Sequence, residues 1–220
     1  MGEITKCEIN IFNIIKSEIT EMFDVGAYTD IDYIIMHPTA KFHLFEPMKE
    51  SYEKLIQLVA DNTNVKTNNV GCSNTKDTEK MYRNISSTII KKHDIATDLN
   101  NFEYVQMVRL DEYIEQNNIT TFDFIKIDTE GSEYLVLDGL GKYLNEFKFI
   151  QVEYGGTYWD VPFKDRTLLL KDIFEKLNQY HAMKLETGQI FTEYNSSLED
   201  YTYCNYLFYK PQYNNIWNRI

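Results

Sequence analysis

Apolar positions along this chain alternate between a helical and an extended period. Ile4, Ile11, Ile14, Ile15 and Ile19 recur at roughly helical spacing, which predicts a helix over residues 4–18. Residues 21–25 follow as a short strand that ends at a glycine. A helix over 31–36 stops at His37-Pro38, because proline removes a donor and clashes with the preceding turn. Residues 41–45 form a second strand. Residues 49–61 form a helix with Tyr52, Leu55, Ile56 and Val59 on one face. The third strand runs over 65–72, and 74–87 is either a hairpin or a surface loop. A strand over 104–110 leads into a short helix at 111–117, with Asp111 placed to cap it.

In the second half, strands at 122–127 and 147–153 flank a helix at 133–143. An amphipathic helix spans 166–180 with Leu169, Ile173, Phe174 and Leu177 inward. Three strands close the chain, at 182–186, 189–194 and 203–209. Strands alternating with helices imply right-handed crossovers and a doubly wound α/β sheet, mostly parallel. The last strands, with little helix between them, predict an antiparallel C-terminal edge. No repeat and no linker rich in Pro, Gly or Ser interrupts the pattern. Residues 1–220 therefore read as one domain, with 1–19 as an N-terminal helical extension.

Composition narrows the partners. The chain carries a formal net charge of −12 and no run of Lys or Arg. Phosphate contacts dominate nucleic-acid affinity, so a DNA or RNA partner is not expected. No window is long and apolar enough for a membrane span, and the first residues lack the pattern of a secretion signal. Cys7, Cys72 and Cys204 are far apart, so neither a disulfide framework nor a zinc site is expected. These features predict a soluble, intracellular, cytoplasmic protein. The 17 Tyr and 13 Phe fill a core, and also permit a homodimer or a ring-stacking ligand pocket.

Ligands of open α/β sheets bind at the carboxyl ends of the strands, so those ends carry the candidate chemistry. The first ends Asp24-Val25-Gly26-Ala27-Tyr28-Thr29-Asp30. Gly26 lets the backbone approach a ligand closely, and the amides at the next helix start can meet a carboxylate. Asp24 and Asp30 stand where a dinucleotide turn carries glycine, and would repel two phosphates; a nicotinamide cofactor is disfavoured on that ground. The second strand ends Phe45-Glu46-Pro47, about 20 residues on, where a carboxylate holds a ribose diol. The third ends at Gly71-Cys72-Ser73, which in such folds borders a base. Asp128 and Glu130 lie at the end of the next strand, and Glu153 at the end of the one after it. These three carboxylates can converge, raise one another's pKa and supply a base. Lys126 is unusual inside an apolar strand. Tyr154, Tyr158 and Trp159 form an aromatic stretch suited to stacking on an acceptor. His93 and His181 are further candidates. Each acid also has a structural role open to it, as a helix cap or turn residue.

Three of these stretches resemble the FkbM family of S-adenosylmethionine-dependent methyltransferases. They are residues 23–27, Phe45-Glu46-Pro47, and Phe124-Ile125-Lys126-Ile127-Asp128-Thr129-Glu130-Gly131 followed by Val136-Leu137 and Gly139. Leu110-Asp111 also looks like the family's Leu-Asp segment. The resemblance covers roughly residues 20–155. It implies a class I methyltransferase fold, Rossmann-like, with seven strands and an antiparallel terminal hairpin. It also implies S-adenosylmethionine as cofactor and methylation of a hydroxyl, most often on a sugar or natural product. By that resemblance Asp24, Gly26 and Ala27 border the methionine part and Glu46 binds the ribose; Tyr28, Asp30, Pro47, Gly71, Cys72 and Ser73 complete the candidate cofactor-binding residues. Asp128 stands near the cofactor amine, and Glu130, Asp128 and Glu153 are the candidate catalytic acids. Metal ligands are left unassigned, and a divalent ion is a subsidiary option. Asp30 departs from the family, which carries glycine there. It either caps the helix, pairs with the cofactor's ammonium, or obstructs binding and leaves a catalytically degenerate binding domain. A methyltransferase with a non-sugar small-molecule acceptor is the other alternative.

Overall fold

The computed structural model describes residues 5–83, 100–155, 162–163, 166–199 and 202–219. Its strands, in chain order, are β1 Glu21–Val25, β2 Lys41–Phe45, β3 Val65–Asn68, β4 Gly71–Cys72, β5 Thr78–Tyr82, β6 Phe102–Val108, β7 Phe124–Ile127, β8 Phe149–Tyr154, β9 Pro162–Phe163, β10 Arg166–Thr167, β11 His181–Lys184, β12 Gln189–Phe191 and β13 Cys204–Tyr209. The helices are α1 Lys6–Ile15, α2 Asp32–Met36, α3 Lys49–Leu58, α4 Leu110–Gln116, α5 Glu133–Gly139 and α6 Leu170–Lys176. Eight strands make the main sheet in the order β12-β11-β13-β8-β7-β1-β2-β3. From β3 to β8 every pairing is parallel, whereas β13 runs antiparallel to both β8 and β11, and β12 antiparallel to β11.

Strand alternation sends side chains to two cores. Phe23, Val25, Ile125, Ile127, Ile150 and Val152 face α4, α5 and α6. Met22, Phe42, Leu44, Phe124, Phe149 and Leu207 face the other side, against Ile11, Phe12 and Ile15 of α1 and Tyr33 and Ile34 of α2. The helix expected as an N-terminal extension is thus packed on the sheet. Thr5 and Glu8 close its first turn as a reciprocal capping box, with Thr5 N donating to Glu8 at 2.8 Å and Glu8 N to Thr5 Oγ1 at 3.3 Å.

Several elements differ from the periodicity. The single strand expected at 65–72 is two, because β4 leaves β3 to pair with β6. The uncertain stretch after it contains β5, antiparallel to β6. The long helix expected over 166–180 begins only at Leu170, after β10 pairs with β9; Asp172 fixes that start by accepting the Leu169 amide at 2.8 Å. The antiparallel C-terminal region is present, but β13 is an interior strand, buried along its whole length. A 3₁₀ helix at Pro211–Arg219, absent from the sequence reading, lays Ile216 and Trp217 against the α1 core. Among the described residues no helix is long and apolar enough to cross a membrane.

Candidate active site at the sheet crevice

Strand order reverses direction beside β1: the chain goes from β1 outward through β2 to β3, and then returns to β7 on β1's other side. That reversal opens a crevice at the strands' carboxyl ends. The turn after β1 forms one lip. Gly26 and Ala27 both donate to Phe45 O at 3.0 Å, and Tyr28 N donates to Glu46 Oε2 at 2.9 Å. Asp30 N bonds Ala27 O, and Asp32 N bonds Asp30 Oδ1 at 2.9 Å. Five amides are therefore engaged within the chain, and what the turn presents is chiefly carboxylate. Gly26 is required for a second reason beyond ligand approach: at φ +87°, a Cβ there would sit 1.8 Å from the Asp128 carbonyl oxygen.

Under this lip lies a buried polar network on the α1 face of the sheet. Asp24 is 4% exposed, and among the described residues its Oδ1 has no hydrogen-bond partner. Burial lifts its carboxyl to about 7, against the pull of Lys126. Lys126 is buried too, with Nζ 2.9 Å from Asp128 Oδ2. Burial acts to lower its pKa, but Asp128 and Asp24 outweigh that and hold the ammonium well above its ordinary value. Gln151 ties α1 to α2 across β8: its Nε2 donates to Glu8 Oε1 at 2.6 Å, and its Oε1 accepts from Tyr33 at 3.2 Å. Glu46, 4% exposed, accepts the Tyr28 and Met48 amides on its two oxygens. Burial raises it to about 7 despite those two bonds. A carboxylate has about four lone-pair sites, so two remain for hydroxyls.

The other lip is the turn from β7 into α5. Glu133 folds back to accept Thr129 N at 2.7 Å and Gly131 N at 3.1 Å, which is its structural role. The turn leaves Glu130 in the left-handed region at φ +54°. Three non-glycine residues adopt such a φ among those described, and two of them, Tyr28 and Glu130, are on these two lips. Strain of this kind persists where the surrounding structure enforces it, and it concentrates at functional sites. One oxygen each of Asp128, Glu130 and Glu153 lies within 4.8 Å of the others, so the three carboxylates expected to converge do so. Burial, then the charges of Asp128, Glu133 and Glu130, hold Glu153 well above its ordinary pKa; a hydrogen bond from Tyr203 opposes them.

The remaining sequence candidates divide. Pro47 is partly buried and its carbonyl accepts from Asn69 Nδ2 at 3.0 Å. Gly71, Cys72 and Ser73 are buried; Cys72 belongs to the core, where burial pushes its thiol pKa up. Tyr154 requires a correction as a stacking residue. It is 2% exposed on the opposite core, and its hydroxyl donates to Glu199 at 2.8 Å and accepts the Leu170 amide, so neither ring face is open. Tyr158, Trp159 and His93 lie outside the described residues. His181 pairs with Tyr209, itself opposite Phe149, and so sits at the far end of the sheet from the crevice. Tyr203 and the Glu8–Gln151–Tyr33 chain were not anticipated. Glu8 was readable, because it stands three and four positions before Ile11 and Phe12, on the buried face of its helix.

A parallel run of five strands, with an antiparallel strand set inside the far half, is the Rossmann-like fold of the class I methyltransferases. Solved structures share this fold. The METTL16 methyltransferase domain is 9% identical with a TM-score of 0.51, over 95% of this chain and 70% of that one. WbdD, in co-crystals with the kinase inhibitor LY294002, is 11% identical with a TM-score of 0.50, over 93% of this chain and 40% of that one. The chain belongs to the FkbM methyltransferase domain family, whose model matches residues 24–194. No curated protein matches it in sequence. The match includes Asp24, Glu46, Asp128, Glu130 and Glu153, and leaves Glu8 and Tyr203 outside.

Proposed function

We propose that this domain transfers a methyl group from S-adenosylmethionine to a hydroxyl oxygen, on a sugar or glycan precursor. The observation that carries the proposal is the convergence of Asp128, Glu130 and Glu153 beside the β1 turn. The residues fit the cofactor's chemistry. Glu46 keeps lone pairs for a ribose diol, and the partnerless buried oxygen of Asp24 suits an ammonium donor. Asp30 spends an oxygen on the Asp32 amide, which supports a helix-start role and not an obstruction. When bound, S-adenosylmethionine supplies an electrophilic methyl on a sulfonium.

The chain's own work is to orient the acceptor and take its proton. Asp128 is already engaged by Lys126, so it is the less available base. Glu153, raised by burial and by neighbouring acids, is the better one, and a carboxylate oxygen of Glu153 receives the hydroxyl proton. Glu130 and Asp128 accept hydrogen bonds from further hydroxyls, an arrangement suited to a polyol. A cytoplasmic site of action belongs to the same proposal, supported by three free cysteines.

Titration calorimetry with S-adenosylmethionine and S-adenosylhomocysteine tests the cofactor half; no heat at millimolar ligand would end it. Transfer of labelled methyl to a panel of nucleotide sugars and free glycans tests the acceptor half. Label found only on amines or on non-sugar small molecules would replace it.

A further inference from the structure

We propose that Tyr203 is a positioning residue for the acceptor side, its hydroxyl donating to Glu153 Oε1 and so fixing the carboxylate that receives the proton. The inference rests on the reading of Glu153 as base. It begins from a backbone constraint. Gly155 has φ +114°, and a Cβ there would meet Tyr203 Cα at 2.6 Å and Thr202 O at 3.0 Å. Glycine at 155 thus lets the segment entering β13 cross tightly over the end of β8. Pairing of Cys204 with Tyr154 and Asn205 with Glu153 then puts Tyr203 just past the strand end. Residues 203, 205, 207 and 209 share one face, with Leu207 and Tyr209 in the α1 core, and Glu153 shares that face through Phe149 and Gln151. Tyr203 therefore reaches Glu153 from the neighbouring strand, and its hydroxyl bonds Oε1.

Among the described groups facing Glu153 are Asp128 at the end of β7, Glu130 and Glu133 in the turn into α5, and Tyr203. Three are acids that repel its charge. Tyr203 donates to Glu153, and so holds the carboxylate in place against them. Tyr203 is also 57% exposed beside the acids, a surface that Tyr154 does not provide. Tyr203 lies beyond the segment matched by the family model.

The test needs no methyl acceptor. Full-length chain carrying ¹³C-carboxyl glutamate is titrated by NMR, with Glu153 assigned from the Glu153→Gln variant. In Tyr203→Phe the Glu153 midpoint rises by about one pH unit, since a hydrogen bond to the charged form is lost, while the thermal midpoint stays near wild type. An unmoved Glu153 midpoint in a folded Tyr203→Phe chain overturns the proposal. Should that variant fail to fold, wild-type chain with ¹³Cζ-tyrosine decides. The Tyr203 signal inflects at the Glu153 midpoint if the two are coupled, and a Tyr203 signal blind to Glu153 overturns the proposal. Neither reading depends on S-adenosylmethionine binding or turnover, so failure here is distinct from failure of the proposed function. With an acceptor in hand, Tyr203→Phe lowers kcat and leaves the KM for S-adenosylmethionine unchanged.

Discussion

Asp24→Asn isolates the cost of keeping a carboxylate under the β1 turn. In the unfolded chain this acid titrates near 3.8, and in the folded one burial carries it to about 7. The sign follows from proton uptake. Between those values the folded state holds a proton that the unfolded state has released, so stability falls as pH rises through the window. At roughly 1.4 kcal/mol per pH unit, the penalty is about 1.6 kcal/mol at pH 5 and levels at about 4 kcal/mol above pH 7. Asparagine does not titrate. The stability of Asp24→Asn relative to wild type should therefore grow by about 2.5 kcal/mol between pH 5 and pH 8.5. Urea unfolding of both chains at the two pH values measures this. The other raised acids, Asp30, Glu46 and Glu153, are common to both chains, and of these only Asp30, whose charge acts on Asp24, changes with the substitution. Any fixed cost of burying the amide also cancels, because it does not vary with pH. A difference in stability that stays flat with pH would refute the reasoning. Cofactor affinity should move oppositely, with calorimetry showing weaker S-adenosylmethionine binding in the variant even where it is the more stable protein.

Glu46 gives a pH dependence to binding. With its carboxyl raised to about 7, the ionised form proposed to accept ribose hydroxyls is scarce below neutrality. Ionisation of Glu46 alone should make the dissociation constant for S-adenosylmethionine about tenfold higher at pH 6 than at pH 8, and Glu46→Gln should remove that share of the profile and leave the share due to Asp24. Gly26→Ala places a methyl on the Asp128 carbonyl oxygen at a positive φ. A loss of about 3 kcal/mol or more is expected, read by thermal unfolding. Glu8→Ala removes both the capping box of α1 and the acceptor for Gln151. The two losses together should cost about 2–4 kcal/mol in chemical denaturation.

The alternation of apolar residues located nearly every strand of the parallel half, because each strand is bounded by a turn residue or an acid. The C-terminal half was less legible. Residues 203–209 are apolar and aromatic in both an edge and an interior strand, and only the pairing with β8 and β11 decides between them. Arg166 and Thr167 continue the pattern of the helix that follows, so periodicity absorbed β10 into it. Within the site, Asp24, Glu46, Asp128, Glu130 and Glu153 were readable because strand ends attract ligands as a matter of topology. Tyr154 was misread because a strand end has two faces, and the register that sends Glu153 to the crevice sends its neighbour to the opposite core. Tyr203 could not be found from spacing: it is 50 positions from Glu153 in sequence and meets it across an antiparallel pair.

That interior strand also sets an order of assembly. Until Cys204–Tyr209 has been made, β8 lacks its outer neighbour and β11 has only the short β12 beside it, so both expose rows of unpaired amides and carbonyls. The five parallel strands can gather as the chain emerges, but two hydrophobic flanks stay open to foreign strands until β13 is made. Shortened products ending before residue 204 would be templates for aggregation, and the end of β8 that carries Glu153 would be completed only once β13 pairs with it.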